Sequence, residues 1–581
     1  MSHAGRDSAQ QPSRRNEKGR ERNRGAKSSP GQGSSDQGRS GQGGGSGGRR
    51  FSAAAPAQRK RRADPARLTA YTVLRAVSRD DAYANLTLPA EIRRRRLDKR
   101  DAGFATELTY GTLRGTGTYD AILSACVDRP LDQLDAPVLD ALRLGAHQLL
   151  NMRVETHAAV DETVALVRAE IGAGPSGLVN AVLRKVSSRT LQDWTRTLSA
   201  ERDLSGDDAL ALTHAHPAWV VRALRQSLRA DGRGDELEAL LRANNAAPEV
   251  HLVELPGTSS VEGDRLRSAQ EAGAVASSAL TGAAIFRGGD IARLPGTREG
   301  QLRVQDIGSQ WVTRALAAAE LPDPSQRAER WLDLCAGPGG KAALLAALAA
   351  QRGATVLANE PAAHRAKLVS QALQAVDHQA WTVRTGDGRT IGEDPTGTGF
   401  QRILVDAPCT GLGALRRRPE ARWRRTPGDL GGLTALQHEL LDAAVGALAP
   451  GGLLAYVTCS PHMAETVIQV DDLLRRHPEL ELLDAHGPMR AAAEDAGAQL
   501  LRDAPAGTGS QTAARCVQLW PHIHGTDAMF FALLQRPVDA KDASASHQSQ
   551  ESESDQSRES ESDQSQESDD VAEHPDGRIA L

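Results

Sequence analysis

The chain has 581 residues, a formal net charge of −4, 39 % hydrophobic and 25 % charged residues, and five cysteines. That length carries two or three domains. It holds no apolar run able to cross a bilayer and no apolar core of a secretory signal near its start, and the odd set Cys126, Cys335, Cys409, Cys459 and Cys516 lacks paired metal spacing, so reduced cytosolic thiols are expected, with no disulfide framework, metal centre or membrane partner.

The charge is unevenly placed. Residues 1–62 carry about 15 Lys/Arg against 4 Asp/Glu and are rich in Gly, Ser and Gln, with too little apolar surface to offset ordering entropy. They read as a disordered basic tail, either solvated or adding non-specific RNA affinity. Residues 63–190 read as an all-helical domain. Val138, Leu142, Gly145 and Leu149 fall at i, i+4, i+7 and i+11. Val160, Val164, Val167 and Ile171 repeat that spacing, and Val179, Val182, Leu183 and Val186 form a third stripe. Pro137 sits where a first helical turn begins. These stripes predict the core of a compact bundle. Arg61, Arg62, Arg67 and Arg75, near its start, are placed to hold phosphates.

Residues 191–300 read as a connector and a small α+β subdomain, helical over 210–241 and alternating like a strand over 249–255. Over 301–536 the pattern becomes β-α-β. Strands are expected at 330–335, 354–359, 381–386, 402–406 and 452–458, which implies a parallel sheet with helices on both faces. A hairpin of 516–520 with 529–535 is expected to close the sheet. Residues 537–581 read as a disordered acidic tail, with about 12 acids against 3 bases from 541 onward and a repeated Ser-Glu-Ser-Asp-Gln-Ser.

Chemistry gathers at the strand ends. Cys335-Ala336-Gly337-Pro338-Gly339-Gly340-Lys341 leaves a strand through a glycine turn and enters a helix. The glycines allow close approach to a ligand, and the helix start offers free N–H groups. It is not a phosphate loop, because Ala342 stands where a hydroxyl would be needed to hold Mg²⁺. Glu360 lies 20 residues after Gly340, at the end of the next strand, where a carboxylate accepts from ribose hydroxyls. Asp387 ends the third strand, placed to line an adenine pocket or to cap the next helix. Cys409, in Asp406-Ala407-Pro408-Cys409-Thr410-Gly411, and Cys459, in Thr458-Cys459-Ser460-Pro461, both end apolar strands in polar turns. Buried cysteines are commonly just small apolar residues, the reading for Cys126, Cys335 and Cys516. Cys409 and Cys459 differ, because nearby positive charge frees a thiolate for nucleophilic attack. Arg416, Arg417, Arg418, Arg422, Arg424 and Arg425, with Trp423 among them, read as a track for a phosphate backbone. A nucleotide-type cofactor site followed by two strand-end thiols predicts methyl transfer through a covalent enzyme–base adduct.

In these segments the chain resembles the RNA cytosine-5 methyltransferases of the NOL1/NOP2/Sun family. The likeness spans roughly 300–536 and includes Val304–Ser309 and His524–Asp527; residues 64–190 resemble the NusB-type RNA-binding domain, a pairing similar to the bacterial Sun/Fmu (RsmB-like) branch. The resemblance implies an all-α NusB-like bundle followed by an α/β Rossmann-like methyltransferase fold. It implies S-adenosylmethionine as cofactor, held by Cys335 to Lys341, Glu360, Asp387 and Asp406. It implies Cys459 as nucleophile on C6, Asp406 on the N3/N4 edge of the base, and Cys409 in loss of the C5 proton or release of the thiol. The implied partner is small-subunit (16S) ribosomal RNA in the cytoplasm, with protein partners unspecified. Transfer RNA as substrate, or a non-catalytic NusB-like RNA-binding protein, are the alternatives. Glu360 stands where many relatives have Asp, and Ala342 where many have Thr; both changes preserve cofactor binding.

Overall fold

The computed structural model describes residues 63–322, 328–393, 396–502 and 510–538, so the basic segment up to residue 62 and the acidic segment from 539 lie outside the described residues. The first six helices are α1 (Pro65–Asp80), α2 (Ala84–Arg95), α3 (Lys99–Cys126), α4 (Ala136–Leu150), α5 (Thr156–Glu170) and α6 (Ser176–Val186). Asp64 starts α1 by accepting from the Arg67 N–H at 2.8 Å, with Pro65 presetting the first turn. Asp98 caps α3 in the same way through Asp101. Val138, Leu142, Val160, Val164, Val167, Val179, Val182, Leu183 and Val186 are all buried in one core, as their spacing predicts. At Gly145, α4 lies close against α6, since a Cβ there would stand 2.7 Å from the Leu183 side chain.

The expected phosphate contacts need correcting. Arg67 is buried, donates to Gln148 at 2.8 Å and lies over the Phe104 ring, while Arg75 pairs with Asp140 at 2.6 Å. Their charge serves the bundle's own packing. Arg61 and Arg62 lie outside the described residues. Exposed positive charge collects instead where α2 ends and α3 begins, at Arg93, Arg94, Arg96, Lys99 and Arg100.

Four helices follow: α7 (Leu191–Glu201), α8 (Gly206–Thr213), α9 (Ala218–Ala230) and α10 (Leu237–Asn245). They lead into a small antiparallel sheet of β1 (Val250–Glu254), β2 (Ala274–Ala276), β3 (Ala283–Phe286) and β4 (Leu302–Val304), in the order β2-β3-β1-β4, with α11 (Asp264–Glu271) packed on it.

The larger sheet is introduced by α12 (Ile307–Ala318) and built from β5 (Arg330–Asp333), β6 (Thr355–Glu360), β7 (Trp381–Thr385), β8 (Phe400–Asp406), β9 (Leu448–Thr458), β10 (Glu481–Leu482), β11 (Val517–Gln518) and β12 (Phe530–Gln535). Its order is β7-β6-β5-β8-β9-β12-β10; β5 to β9 are parallel and β12 is antiparallel to β9. Helices α13 (Gly340–Ala350), α14 (Ala363–Leu373), α15 (Ala421–Arg424), α16 (Asp429–Ala447) and α17 (Val467–Arg476) fill the crossovers and flanks. Alternation along β5 sends Trp331 into one core and Leu332 into the other.

The five parallel strands stand where expected, with ends displaced; β9 begins at Leu448 rather than 452. The terminal hairpin differs. β11 joins β12 by only two residue pairs, and β12 lies inside the sheet, between β9 and β10. Phe530 to Leu534 are all buried, and a fully apolar strand needs cover on both faces, so the short β10 takes the edge instead. Strand order reverses at β5, with β6 on one side and β8 on the other, which opens a crevice at the strands' carboxyl ends.

Candidate active site

The glycine turn occupies that crevice. The Ala336 N–H bonds the Asn359 carbonyl at 2.9 Å, tying the turn to the end of β6. Gly339 has φ of 106°, and a Cβ there would come within 2.5 Å of Ala372; at Gly337 it would collide with the Glu360 carboxylate. Glycine is therefore required for the turn to pass between α14 and Glu360. Above Gly340 nothing lies within 4 Å of a would-be Cβ, so the start of α13 faces open space. Cys335 is half-buried, its thiol pushed up by burial and by Asp333.

Glu360 is 1 % exposed and accepts the Ala362 N–H at 3.0 Å, while its second oxygen lies 3.4 Å from Arg365. Asp387 accepts the Arg389 backbone N–H at 3.0 Å and grips that guanidinium at 2.6 Å; these hydrogen bonds hold its carboxyl below the usual range. Asp387 is thus engaged in the capping arrangement that its sequence context also allows. Asp333, at the end of β5, was not singled out from the sequence. It is fully buried, and burial together with nearby Asp406 pushes it up to about 8, so it holds a proton at neutral pH. A nucleoside cofactor such as S-adenosylmethionine fits this set of open helix start and adjacent strand-end carboxylates.

The two thiols meet. Cys409 Sγ and Cys459 Sγ are 3.4 Å apart, at the ends of neighbouring β8 and β9, and both are half-buried. Lys341 reaches across from α13 to Asp406 at 2.9 Å. The hydrogen bond from Cys409 lowers Cys459 first, and Lys341 adds to it, against burial and the charges of Asp406 and Asp527. The same hydrogen bond, then burial, raises Cys409 well above the ordinary thiol range, with Glu465 adding to the rise. The pair is electrically unequal: the surroundings favour ionisation of Cys459 over that of Cys409. Among the expected site residues, the structure therefore brings Cys409, Cys459, Asp406 and Lys341 together, with Cys335 to Gly340 and Glu360 lining the adjoining crevice.

The arginine run after Cys409 is not a free phosphate track. Arg416 donates to the Gly525 carbonyl at 3.0 Å, and Arg417 forms an ion pair with fully buried Asp527. Arg422 is fully buried and donates to the Ala215 and Asn244 carbonyls at 3.0 and 3.2 Å and to the Asn245 side chain at 2.8 Å. It also approaches the Arg114 carbonyl at 3.4 Å. Burial, with Arg114 adding to it and Glu420 opposing, lowers it to about 9. Arg424 donates to the Val77 and Ala82 carbonyls at 3.1 and 2.7 Å, and Trp423 packs so closely on α3 that a Cβ at Gly117 would collide with its ring. Glu420 accepts the Ala84 N–H at 3.3 Å, and the Arg418 and Arg424 guanidiniums each lie 5.3 Å from the Tyr83 ring. This arm, 409–425, bolts the helical bundle to the sheet. Its acceptors lie hundreds of residues away in the chain, so charge and spacing alone could not reveal them. The arm's root is equally fixed, since the Gly413 N–H bonds the Cys459 carbonyl and its own carbonyl accepts the Ala528 N–H, both at 2.9 Å.

The segments Val304–Ser309 and His524–Asp527 also converge. Asp306 caps α12 and accepts from Thr526 Oγ1 at 2.5 Å, and the Gly308 N–H bonds the same hydroxyl at 2.8 Å.

A family model described as "16S rRNA methyltransferase RsmB/F" matches residues 321–535, and one described as "NusB family" matches residues 64–188. "Putative methyltransferase Rv1407" of Mycobacterium tuberculosis (strain H37Rv) is 47 % identical over 478 residues, 82 % of this chain and 98 % of its own length. "Ribosomal RNA small subunit methyltransferase B" of Erwinia tasmaniensis is 31 % identical over 474 residues, 80 % of this chain and 97 % of its own. The solved structure of PH0851 overlays with a TM-score of 0.65 at 21 % identity, covering 81 % of this chain and 98 % of its own, a likeness of fold. On these matches, over a sheet that ends in a glycine turn and two touching thiols, the chain belongs to the 16S rRNA methyltransferase RsmB/F family and carries a NusB-family domain ahead of the methyltransferase sheet.

Proposed function

We propose that the protein methylates C5 of a cytosine in small-subunit ribosomal RNA, with S-adenosylmethionine as donor, through a covalent bond between Cys459 and C6. The observation that carries this reading is the contact of Cys459 with Cys409 beside the Lys341–Asp406 pair. When bound, the cofactor supplies an electrophilic methyl group. The Cys459 thiolate adds to C6 and its electron pair becomes the C6–S bond; the ring pair then moves to C5, which takes the methyl. Asp406 faces the N3/N4 edge, accepts from the N4 amino group and shares a proton with N3, which takes up the negative charge that builds there, while Lys341 holds Asp406 in place. When a base takes the C5 proton, the C5–H pair becomes the C5=C6 double bond and the C6–S pair returns to Cys459. Cys409, as the thiol 3.4 Å away, donates its hydrogen bond to that departing sulfur. The target base must be unpaired or turned out of its helix to present C6.

Ribosomal RNA as partner rests on the relatives' names and on the bundle's exposed corner of Arg93, Arg94, Arg96, Lys99 and Arg100. Helix α2 joins that corner to the arm, since Tyr83 and Ala84 at its start touch Arg418 and Glu420. A twelve-residue helix spans about 18 Å, the length that separates the corner from the arm that carries Cys409. The test is to incubate the full chain with labelled cofactor and bare small-subunit RNA, then map the modified base. Label on a single cytosine C5, absent with Cys459→Ala, is expected. Label on another atom, or on transfer RNA in preference, rejects the reading.

A further inference from the structure

Glu465 lies six residues beyond Cys459 and is fully buried, yet none of the steps above uses it. Its carboxylate accepts the Thr410 N–H at 2.7 Å and the Thr410 hydroxyl at 2.5 Å, next to Cys409. With the Thr410 proton committed to Glu465, the Ser460 hydroxyl donates to Thr410 Oγ1 across 3.1 Å, next to Cys459. Gln437 adds a bridge, donating to the Pro408 carbonyl at 2.8 Å and to Glu465 at 3.3 Å. The Tyr456 hydroxyl fixes the Glu465 backbone by donating to its carbonyl at 2.8 Å. A buried carboxylate is costly unless its oxygens are satisfied, and here they are satisfied by the turn that carries the second thiol.

We propose that Glu465 is the positioning residue of the thiol pair: through Thr410 and Ser460 it fastens the Cys409 turn to the Cys459 turn and fixes the contact between the sulfurs. Charge placement gives it a second effect. Lys341 and Arg417 act on Cys459, with Asp406 and Asp527 opposing them, whereas the carboxylate acting on Cys409 is Glu465. Negative charge behind Cys409 favours the proton on that sulfur, where it is at hand for the departing Cys459 sulfur. The inference rests on the reading of Cys459 as nucleophile and Cys409 as the group that serves release.

The test uses the full chain with Glu465→Gln, which keeps the side chain's size and removes its charge. Cofactor affinity by calorimetry and RNA affinity by filter binding should stay within about twofold of the wild type. Turnover should fall tenfold or more, and a denaturation-resistant protein–RNA adduct should accumulate, because release suffers more than attack. Thr410→Val should behave in the same way and Thr410→Ser, which keeps the hydroxyl, should behave like the wild type; this pair decides the matter if Glu465→Gln fails to fold. Wild-type turnover with no adduct in Glu465→Gln or Thr410→Val overturns the proposal, as does a lower melting temperature with unchanged turnover per folded molecule. Full methylation by Cys459→Ala would instead sink the underlying assignment, so the two failures are distinguishable.

Discussion

At the scale of single residues, the two thiols should respond oppositely to the same substitution. Cys459→Ala removes the atom that adds to C6; methylation is expected to vanish while cofactor binding by calorimetry stays unchanged. Cys409→Ala leaves attack possible and removes the neighbour 3.4 Å from the departing sulfur, so an adduct that survives denaturing electrophoresis should build up. The double variant should show none, and an adduct in Cys459→Ala alone would mean the roles are exchanged. Glu360→Ala removes the expected acceptor for ribose hydroxyls; charged hydrogen bonds of this kind are worth roughly 1.5–3 kcal/mol, so cofactor affinity should fall about tenfold or more. These residues are legible from sequence because each belongs to a short motif at a strand end: a cysteine followed by a hydroxyl residue, as in Cys409-Thr410 and Cys459-Ser460, or an acid one strand beyond a glycine turn, as with Glu360. Asp387 is less so, because a strand-end acid that lines an adenine pocket and one that caps the next turn look alike until Arg389 is seen on its carboxylate. Glu465 is invisible because nothing in Glu465-Thr466-Val467 announces that its partner is Thr410.

At the scale of elements, the arm is the informative piece. A Cβ at Gly413 would collide with the Ala528 carbonyl and crowd that of Cys459, backbone that cannot yield cheaply. Gly413→Ala should therefore lower activity by displacing both thiol turns, a loss visible in turnover at saturating cofactor. Arg422→Ala strips hydrogen bonds from buried carbonyls and leaves a cavity; it should cost about 3 kcal/mol, seen as a melting temperature lower by several degrees. The sheet's parallel strands follow from the alternation of apolar runs and glycine or acid turns. The place of β12 does not, because a hairpin partner and an inserted strand share one pattern, and only the cover that Phe530 to Leu534 require on both faces decides it. The arginine run misleads for a related reason. Six arginines in ten residues look solvated or RNA-bound, yet Arg422 and Arg424 find carbonyls on helices up to 347 residues distant.

At the scale of the whole molecule, the bundle does two jobs. From sequence, a chain that starts near residue 200 is expected still to bind S-adenosylmethionine while losing RNA affinity and site selectivity. The structure alters that expectation, since such a chain lacks the Val77, Ala82 and Arg114 carbonyls and the Gly117 surface on which the arm is seated. It should melt earlier, turn over poorly on any RNA and bind cofactor only weakly, as scanning calorimetry and titration would show. Recognition is separable by surface charge instead. Replacing Arg93, Arg96, Lys99 and Arg100 by Glu should leave cofactor affinity intact and weaken RNA binding. The slope of log affinity against log salt should flatten by about 0.7 for each single-strand phosphate that the protein no longer neutralises. An unaltered slope would place the RNA elsewhere.

The burial of Arg422 also bears on how such proteins can be recombined. Its acceptors sit on α3, on the turn between α8 and α9, and on α10 at once, so the bundle is not a cartridge that unplugs at residue 190. A chimera that takes its front half from a relative will fold only if that half brings backbone carbonyls to the same three places, or if the arm travels with it. The unit to exchange is therefore the helices together with the arm residues that grip them, and a library that swaps both as one set should yield more active enzymes than one cut between the domains that sequence families delineate.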